Sequence, residues 1–263
     1  MKYLDTENKR IIYIKSASTK EFWTDHWLFD GNLKKRIKSG DKNGLVKNIT
    51  EKFLKKGSRI IKAGCGISQN VYGLTEWGYE AFGIDYTEDV IKKTKELFPD
   101  LNISVQDVRK LNFPNDYFDG YWSLGVIEHF VDGYDPIIKE AKRVLKDGGY
   151  MFLTTPWMSP LRKMKAKMRL YPIFKKEINT SNFYEFILDD KQIINNIEAN
   201  GFKLILRRPY DAIKGFKDEI SGLGVILQKI YDSKNMFVKA FRFCISIIFA
   251  PFAGHIILLV FRK

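Results

Sequence analysis

Residues 59–66, Arg-Ile-Ile-Lys-Ala-Gly-Cys-Gly, constrain this chain more than any other stretch. A short β-branched run leads straight into a Gly-x-Gly turn, and a helix-like segment, Gln69 to Trp77, comes next. Glycines at 64 and 66 let the backbone turn sharply after a buried strand and approach a ligand, with the amides of the next helix start facing it. A Gly-x-Gly alone is met in many chains, but here three more strand-end signals succeed it in order. Tyr79 to Asp85 reads as a strand ending in an acid 21 residues after Gly64, where an aspartate accepts from both ribose hydroxyls of a nucleoside. Ile103 to Val108 ends beside Asp107, placed to accept from an exocyclic amine such as adenine's. Phe118 to His129 reads as a strand entering a loop and short helix, and Ala141 to Pro156 as helix, Gly-Gly stop and buried strand.

On these residues the segment from about 44 to 157 resembles the core of a class I S-adenosylmethionine-dependent methyltransferase, of the group that includes quinone-biosynthesis methyltransferases. The resemblance implies an α/β fold: a Rossmann-like, doubly wound seven-stranded sheet with an antiparallel last strand and helices on both faces. It places the cofactor S-adenosyl-L-methionine against Ala63, Gly64, Cys65 and Gly66. Asp85 takes the ribose, Tyr86 lies beside the adenine, and Asp107 with Val108 forms the adenine pair. Ser123 and Leu124 close the fourth strand before the family's Gly-Val-x-Glu-His, here Gly125 to His129. The acceptor is not implied, because the fold hosts many.

The chain departs from the family pattern twice. Ser68 stands where a third glycine is common, a mild change because serine is small and suits a helix start. Lys62 stands where the family has Glu or Asp at the end of the first strand. The donor is a cation, so at roughly 6 Å and an effective dielectric of ~20 the repulsion is on the order of 3 kcal/mol. Either Lys62 pairs with Asp85 or Glu128 and leaves the site usable, or it marks a chain with weakened or lost activity. A nicotinamide dinucleotide site would want a third glycine where Gln69 stands, and would need neither Asp107 nor Gly125 to His129. Cys65 reads as a small loop-filling residue rather than a nucleophile.

Two cysteines, Cys65 and Cys244, give no disulfide framework, and no metal site is expected. The polar opening, Met1 to Arg10, predicts no signal peptide, and a cytoplasmic location, peripheral at the inner face of the membrane, is expected. The net charge of +13 is uneven: residues 1–156 hold 25 Lys/Arg against 22 Asp/Glu, and residues 157–263 hold 19 against 9. The basic character therefore lies in the residues added after the fifth strand. Leu161 to Lys176 holds Arg162, Lys163, Lys165, Lys167, Arg169, Lys175 and Lys176 with no acid, and a helix there would carry a narrow apolar edge of Leu161, Met164 and Met168. On a helix over Met236 to Phe249, Lys239, Arg242 and Ser246 share one stripe and the rest is apolar, as in a buried or interfacial helix.

The 18 uncharged residues from Phe243 to Val260 are long enough for a transmembrane span, and a pair of core helices is a further alternative. Pro251, Gly254 and the β-branched run after His255 favour an insertion over 211–253 and then a final strand over 255–262, next to a sixth strand at Gly201 to Tyr210 and a helix at Asp189 to Asn200. The expected layout is one methyltransferase domain over 1–263: a lid over 1–43 carrying Phe22, Trp23 and Trp27, a cofactor core over 44–157, and a substrate and cap region over 158–263.

His129, with a pKa class suited to a general base, and Glu128 beside it are the catalytic candidates for a hydroxyl acceptor. Bracing the helix start is the alternative role for this pair. The expected reaction is methyl transfer to oxygen of an amphiphilic or lipid-linked small molecule, with peripheral contact to an anionic membrane. Lipid is favoured over nucleic acid because apolar helix lies beside the charge and the fourth-strand loop lacks an Asn/Asp-Pro-Pro-aromatic motif. The rival readings are an RNA methyltransferase and a non-catalytic binding protein on this scaffold, marked by Lys62.

Overall fold

The structure, a computed structural model, describes residues 1–29, 31–41, 44–175, 177–220, 222, 224–233 and 235–263. Lys176 of the basic run lies outside the described residues, as do parts of the lid and insertion segments. In chain order the elements are β1 (Lys2–Asp5), β2 (Arg10–Ile14), α1 (Lys20–Leu28), α2 (Leu33–Lys38), α3 (Leu45–Phe53), β3 (Arg59–Ala63), α4 (Gln69–Glu76), β4 (Glu80–Asp85), α5 (Glu88–Leu97), β5 (Asn102–Val105) and β6 (Phe118–Leu124). They continue as α6 (Asp135–Val144), β7 (Leu145–Pro156), α7 (Pro160–Lys167), β8 (Phe183–Ile187), α8 (Asp190–Ala199), β9 (Lys203–Tyr210), α9 (Ala212–Glu219), α10 (Gly224–Asp232), α11 (Met236–Ala253) and β10 (Ile256–Arg262).

Seven strands form one sheet in the order β5-β4-β3-β6-β7-β10-β9. Its parallel half is built on β3, which pairs Ile61 with Phe82 of β4 on one side and with Tyr121 of β6 on the other. β3 is flanked on both sides and packed on both faces, so its Ile-Ile-Lys-Ala run reads as continuous rather than alternating. The antiparallel sense of the last strand shows at its end, where Lys263 N–H donates to Gly149 and Gly148 N–H to Lys263. The seven strands and the antiparallel close agree with the expected fold class. A separate three-stranded sheet, β1-β2-β8, joins the N-terminal hairpin to Phe183–Ile187.

The chain divides into two compact units. The first holds Met1–Ala17, Thr154–Asn196 and Leu204–Leu259, and the second holds Ser18–Leu153, Ile197–Lys203 and Val260–Lys263. These breaks differ from the expected segment boundaries at 43 and 157. Residues 1–17 belong with β8 rather than with a lid, because the hairpin satisfies its edge by pairing with a distant strand.

Gly148-Gly149 does not stop a helix, contrary to its appearance in the sequence. Helix α6 already ends at Val144, and the two glycines lie inside β7, where Gly149 has carbonyls 2.9 and 3.2 Å from where a Cβ would sit. Residues 243–260 do not form one span, since α11 runs from 236 to 253 and β10 begins at 256. This is the arrangement of insertion and final strand. The basic helix is shorter than its apolar pattern suggested, with α7 ending at Lys167 and Met168 beyond it.

In the first unit α9 meets α11 so closely that a Cβ on Gly215 would fall 1.6 Å from the Ala253 carbonyl oxygen. Gly215→Ala is therefore expected to force the two helices apart, at a cost of about 1–3 kcal/mol. Denaturant unfolding reads this directly, and an unchanged midpoint would mean the helices are not held at that distance.

Candidate functional site

The site lies in the second unit, at the carboxyl ends of β3, β4 and β6. Gly64 and Gly66 both take left-handed backbone, with φ of +62° and +51°. Neither position has room for a side chain. A Cβ on Gly64 would lie 2.7 Å from Val126 Cγ2, and one on Gly66 would lie 2.6 Å from the Trp27 indole. Ser68 also sits at φ +61°, in the N-cap position of α4 but without a side-chain cap bond. Its hydroxyl turns inward to Cys65 Sγ, 3.3 Å away. This left-handed backbone gives a third glycine its advantage here, and serine tolerates it less well.

Asp85 ends β4 with its carboxylate buried and already engaged. One oxygen accepts the Gly66 N–H at 2.8 Å, and the other accepts the Thr87 N–H at 3.0 Å and the Thr87 hydroxyl at 2.6 Å. It thus ties the glycine loop to the start of α5. Asp107 is held by Arg109, whose guanidinium meets both carboxylate oxygens at 2.6–3.1 Å. That charge-assisted hydrogen bonding keeps the Asp107 carboxyl below its ordinary range, against the opposing pull of burial.

These elements wall a pocket of about 250 Å³. Of the expected cofactor residues, Gly64, Asp85, Tyr86, Asp107, Val108 and Leu124 line it. Ala63, Cys65, Gly66 and Ser123 are buried behind or beside that wall. His129 also lines the pocket, in edge-on contact with the Trp23 ring at 5.0 Å, while Glu128 next to it is buried. Tyr86 is partly exposed, and burial with the neighbouring Asp85 and Glu21 pushes its phenol up to about 12. Burial also pushes the Cys65 thiol up to about 12, which suits a filler and not a nucleophile.

Helix α1 supplies Trp23 and Trp27, and both line the pocket. Trp27 also packs against the core group of Ile37, Ile67 and Val90, so it is core as well as cover. Arg109 and Phe130 reach the pocket without having been expected. The Asp-x-Arg spacing of 107 and 109 was the available signal for the first.

Lys62 is the unusual member. Its ammonium is almost fully buried and donates to the carbonyls of Ala63 at 2.8 Å and Gly64 at 2.7 Å. Burial draws its pKa down to about 8, and the nearby Asp85 and Glu128 carboxylates hold it from falling further. The alternatives of pairing with Asp85 or Glu128 thus give way to backbone carbonyls as hydrogen-bond partners, with those acids as background charge.

Comparison with known proteins agrees with this geometry. Residues 61–153 match the family described as a methyltransferase domain. Over 99 residues the chain is 31% identical to 2-methyl-6-phytyl-1,4-hydroquinone methyltransferase of Synechocystis sp., a match covering 36% of this chain and 31% of that relative. The match thus spans about a third of the curated relative's length. Among solved structures, an S-adenosylmethionine-dependent methyltransferase from Methanosarcina mazei superposes with a TM-score of 0.55 at 17% identity, covering 82% of this chain and 96% of that one. The cyclase SpnF superposes with a TM-score of 0.57 at 17% identity, covering 95% and 98%, so the fold alone does not fix the reaction. The glycine loop and the acids closing β4 and succeeding β5 thus lie in or beside a segment that matches a methyltransferase domain, within a fold shared with solved S-adenosylmethionine-dependent methyltransferases.

Proposed function

We propose that the chain transfers a methyl group from S-adenosylmethionine to an oxygen of an amphiphilic or lipid-linked small molecule at a membrane surface. The observation that carries the transfer is the single pocket wall uniting Gly64, Asp85, Tyr86, Asp107 and His129. The residues suit the adenosyl half of the cofactor. Gly64 has no room for a Cβ, Asp85 offers a carboxylate fixed by three donors, and Val108, Tyr86 and Phe130 provide apolar surface for a base. When bound, the cofactor supplies an activated methyl on a sulfonium.

What the chain adds is position and a proton acceptor. The acceptor oxygen gains the methyl and must lose its hydrogen, and the His129 imidazole takes that proton. Trp23 packs edge-on against His129 and limits the ring's swing. The quinol acceptor named for the Synechocystis relative is consistent with an amphiphilic phenol, and the apolar α11 supports a lipid setting.

Calorimetric titration with S-adenosylmethionine tests the reading, with micromolar binding expected. Asp85→Ala removes the carboxylate that would accept the ribose hydroxyls, and hydrogen bonds to a charged group are worth about 1.5–3 kcal/mol, or roughly ten- to a hundredfold in affinity. No binding by either the native chain or a Lys62 variant would overturn the proposal.

A further inference from the structure

In the first unit, α11 turns Ala250 and Ala253 inward, and Phe249 meets the Phe216 ring of α9 at 5.7 Å. Its other side is unpartnered among the described residues. Phe237 is 81% exposed, Ile248 67%, and Phe241, Phe243 and Ile247 more than half. Lys239 is exposed too, but it lies on the stripe of Arg242 and Ser246, away from Phe237, Phe241 and Ile248. Water-soluble surfaces do not ordinarily carry so continuous an apolar face.

The helix α7, which packs against α11, leads into a second exposed patch in which Met164, Met168 and Leu170 alternate with Lys167 and Arg169. Neither Lys167 nor Arg169 has an ion-pair partner among the described residues, whereas Lys163 and Lys165 of the same helix are paired inward. The sequence of this unit holds twenty Lys/Arg against ten Asp/Glu. Apolar side chains beside unneutralised basic ones match the two layers of an anionic bilayer surface, acyl chains below and phosphates above.

We propose that the outward face of α11, together with the basic stretch from Met164 to Leu170, docks the protein on an anionic lipid bilayer with α11 lying in the interface plane. The helix has the length and composition to cross a membrane, but its geometry opposes a span. Spanning would strip α11 from α9 at the Gly215–Ala253 contact and draw Lys239 and Arg242 into hydrocarbon. A second copy of the chain is disfavoured as the occupant, because two faces of the same positive sign would meet.

Sedimentation of the full chain with vesicles tests this, using phosphatidylcholine alone or with one-third phosphatidylglycerol. Binding to the anionic vesicles is expected, weakening with salt. The double variant Phe237→Glu/Ile248→Glu is expected to lose it. Lys167→Glu/Arg169→Glu should weaken it by roughly fivefold or more per charge. All four positions are exposed, and circular dichroism with cofactor calorimetry on the same variants shows that the fold is kept.

The proposal is overturned by equal binding to both vesicle types, by no binding, or by a native oligomer that Phe237→Glu dissociates. It deepens the membrane setting of the proposed function and rests on that part of it: a chain that docks but binds no cofactor refutes the methyl transfer alone, and one that binds cofactor but not vesicles refutes the docking and the membrane setting while leaving methyl transfer standing.

Discussion

Replacing Lys62 with methionine is expected to raise the affinity for S-adenosylmethionine by roughly thirtyfold below pH 8 and by little above it. The ammonium lies directly behind the pocket wall, bonded to the carbonyl of Gly64, which lines that pocket. Two like unit charges ~8 Å apart at an effective dielectric of ~20 repel by about 2 kcal/mol, a factor of about thirty. Burial has drawn the Lys62 pKa down to about 8, so the native chain sheds this repulsion as pH rises through that value. The sulfonium keeps its charge throughout, and affinity in the native chain therefore climbs with pH. The ligand's own amino group also titrates, but it does so equally in both proteins, so the difference between them isolates Lys62.

Calorimetry on either side of pH 8 is the measurement, with S-adenosylhomocysteine as the comparator lacking the sulfonium. The native-to-variant gap should be smaller for that thioether. Equal affinities for S-adenosylmethionine in both proteins at acidic pH would show that the two carbonyls screen the ammonium completely. A native chain that binds nothing beside a variant that binds well would favour the reading of a binding scaffold with a disabled cofactor site.

What could be read from the chain alone divides along physical lines. The strand ends of β3, β4 and β6 were legible because a parallel sheet buried on both faces writes itself as short β-branched runs closed by glycine or an acid. Gly64, Asp85 and Asp107 therefore fell on or beside the pocket wall where expected. Side-chain partnerships were not legible. Nothing in the spacing showed that Trp27 fills the space over Gly66, or that Lys62 turns to the carbonyls of its own loop. The β1–β2 hairpin was missed because its third strand, β8, lies some 170 residues away, and local alternation carries no address for such a partner. Gly148-Gly149 misled because the pair signals a chain turn in many contexts, whereas here it makes room where β7 runs beside other backbone. The start of a final strand was readable from Gly254 and the β-branched run after it, whereas Pro251, expected to break the run, lies inside α11.

The largest loss of stability is expected at Glu219, a residue no motif marks. Its carboxylate is buried and bridges Lys2 at 2.7 Å, Arg162 at 3.0 Å and Lys165 at 2.9 Å, and it accepts the Tyr171 hydroxyl. Arg162 is itself fully buried. Glu219→Ala would leave that guanidinium uncompensated and cost about 3–5 kcal/mol, the range for breaking one side of a buried pair. Burial opposes the charged carboxylate, but Arg162 and Lys2 outweigh it and hold the pKa near 2, well below its ordinary 4.5. The stabilisation is therefore complete above about 4.5 and is lost as pH falls toward 2. His255 in the same cluster acts at a higher pH. Burial lowers its pKa from 6.5 to about 4, so it folds neutral and favours the unfolded chain as pH drops through that interval. Native stability should thus decline in a shallow first stage below 6.5, where Glu185, its pKa raised by burial to about 7, offsets His255, and in a steeper second stage below 4.5. Glu219→Gln should start lower and show a weaker second stage, the remainder coming from other carboxylates held low, such as Asp218 and Asp107. Thermal unfolding of both proteins across this pH range decides the matter, and a variant with native stability or an unchanged second stage would refute the assignment.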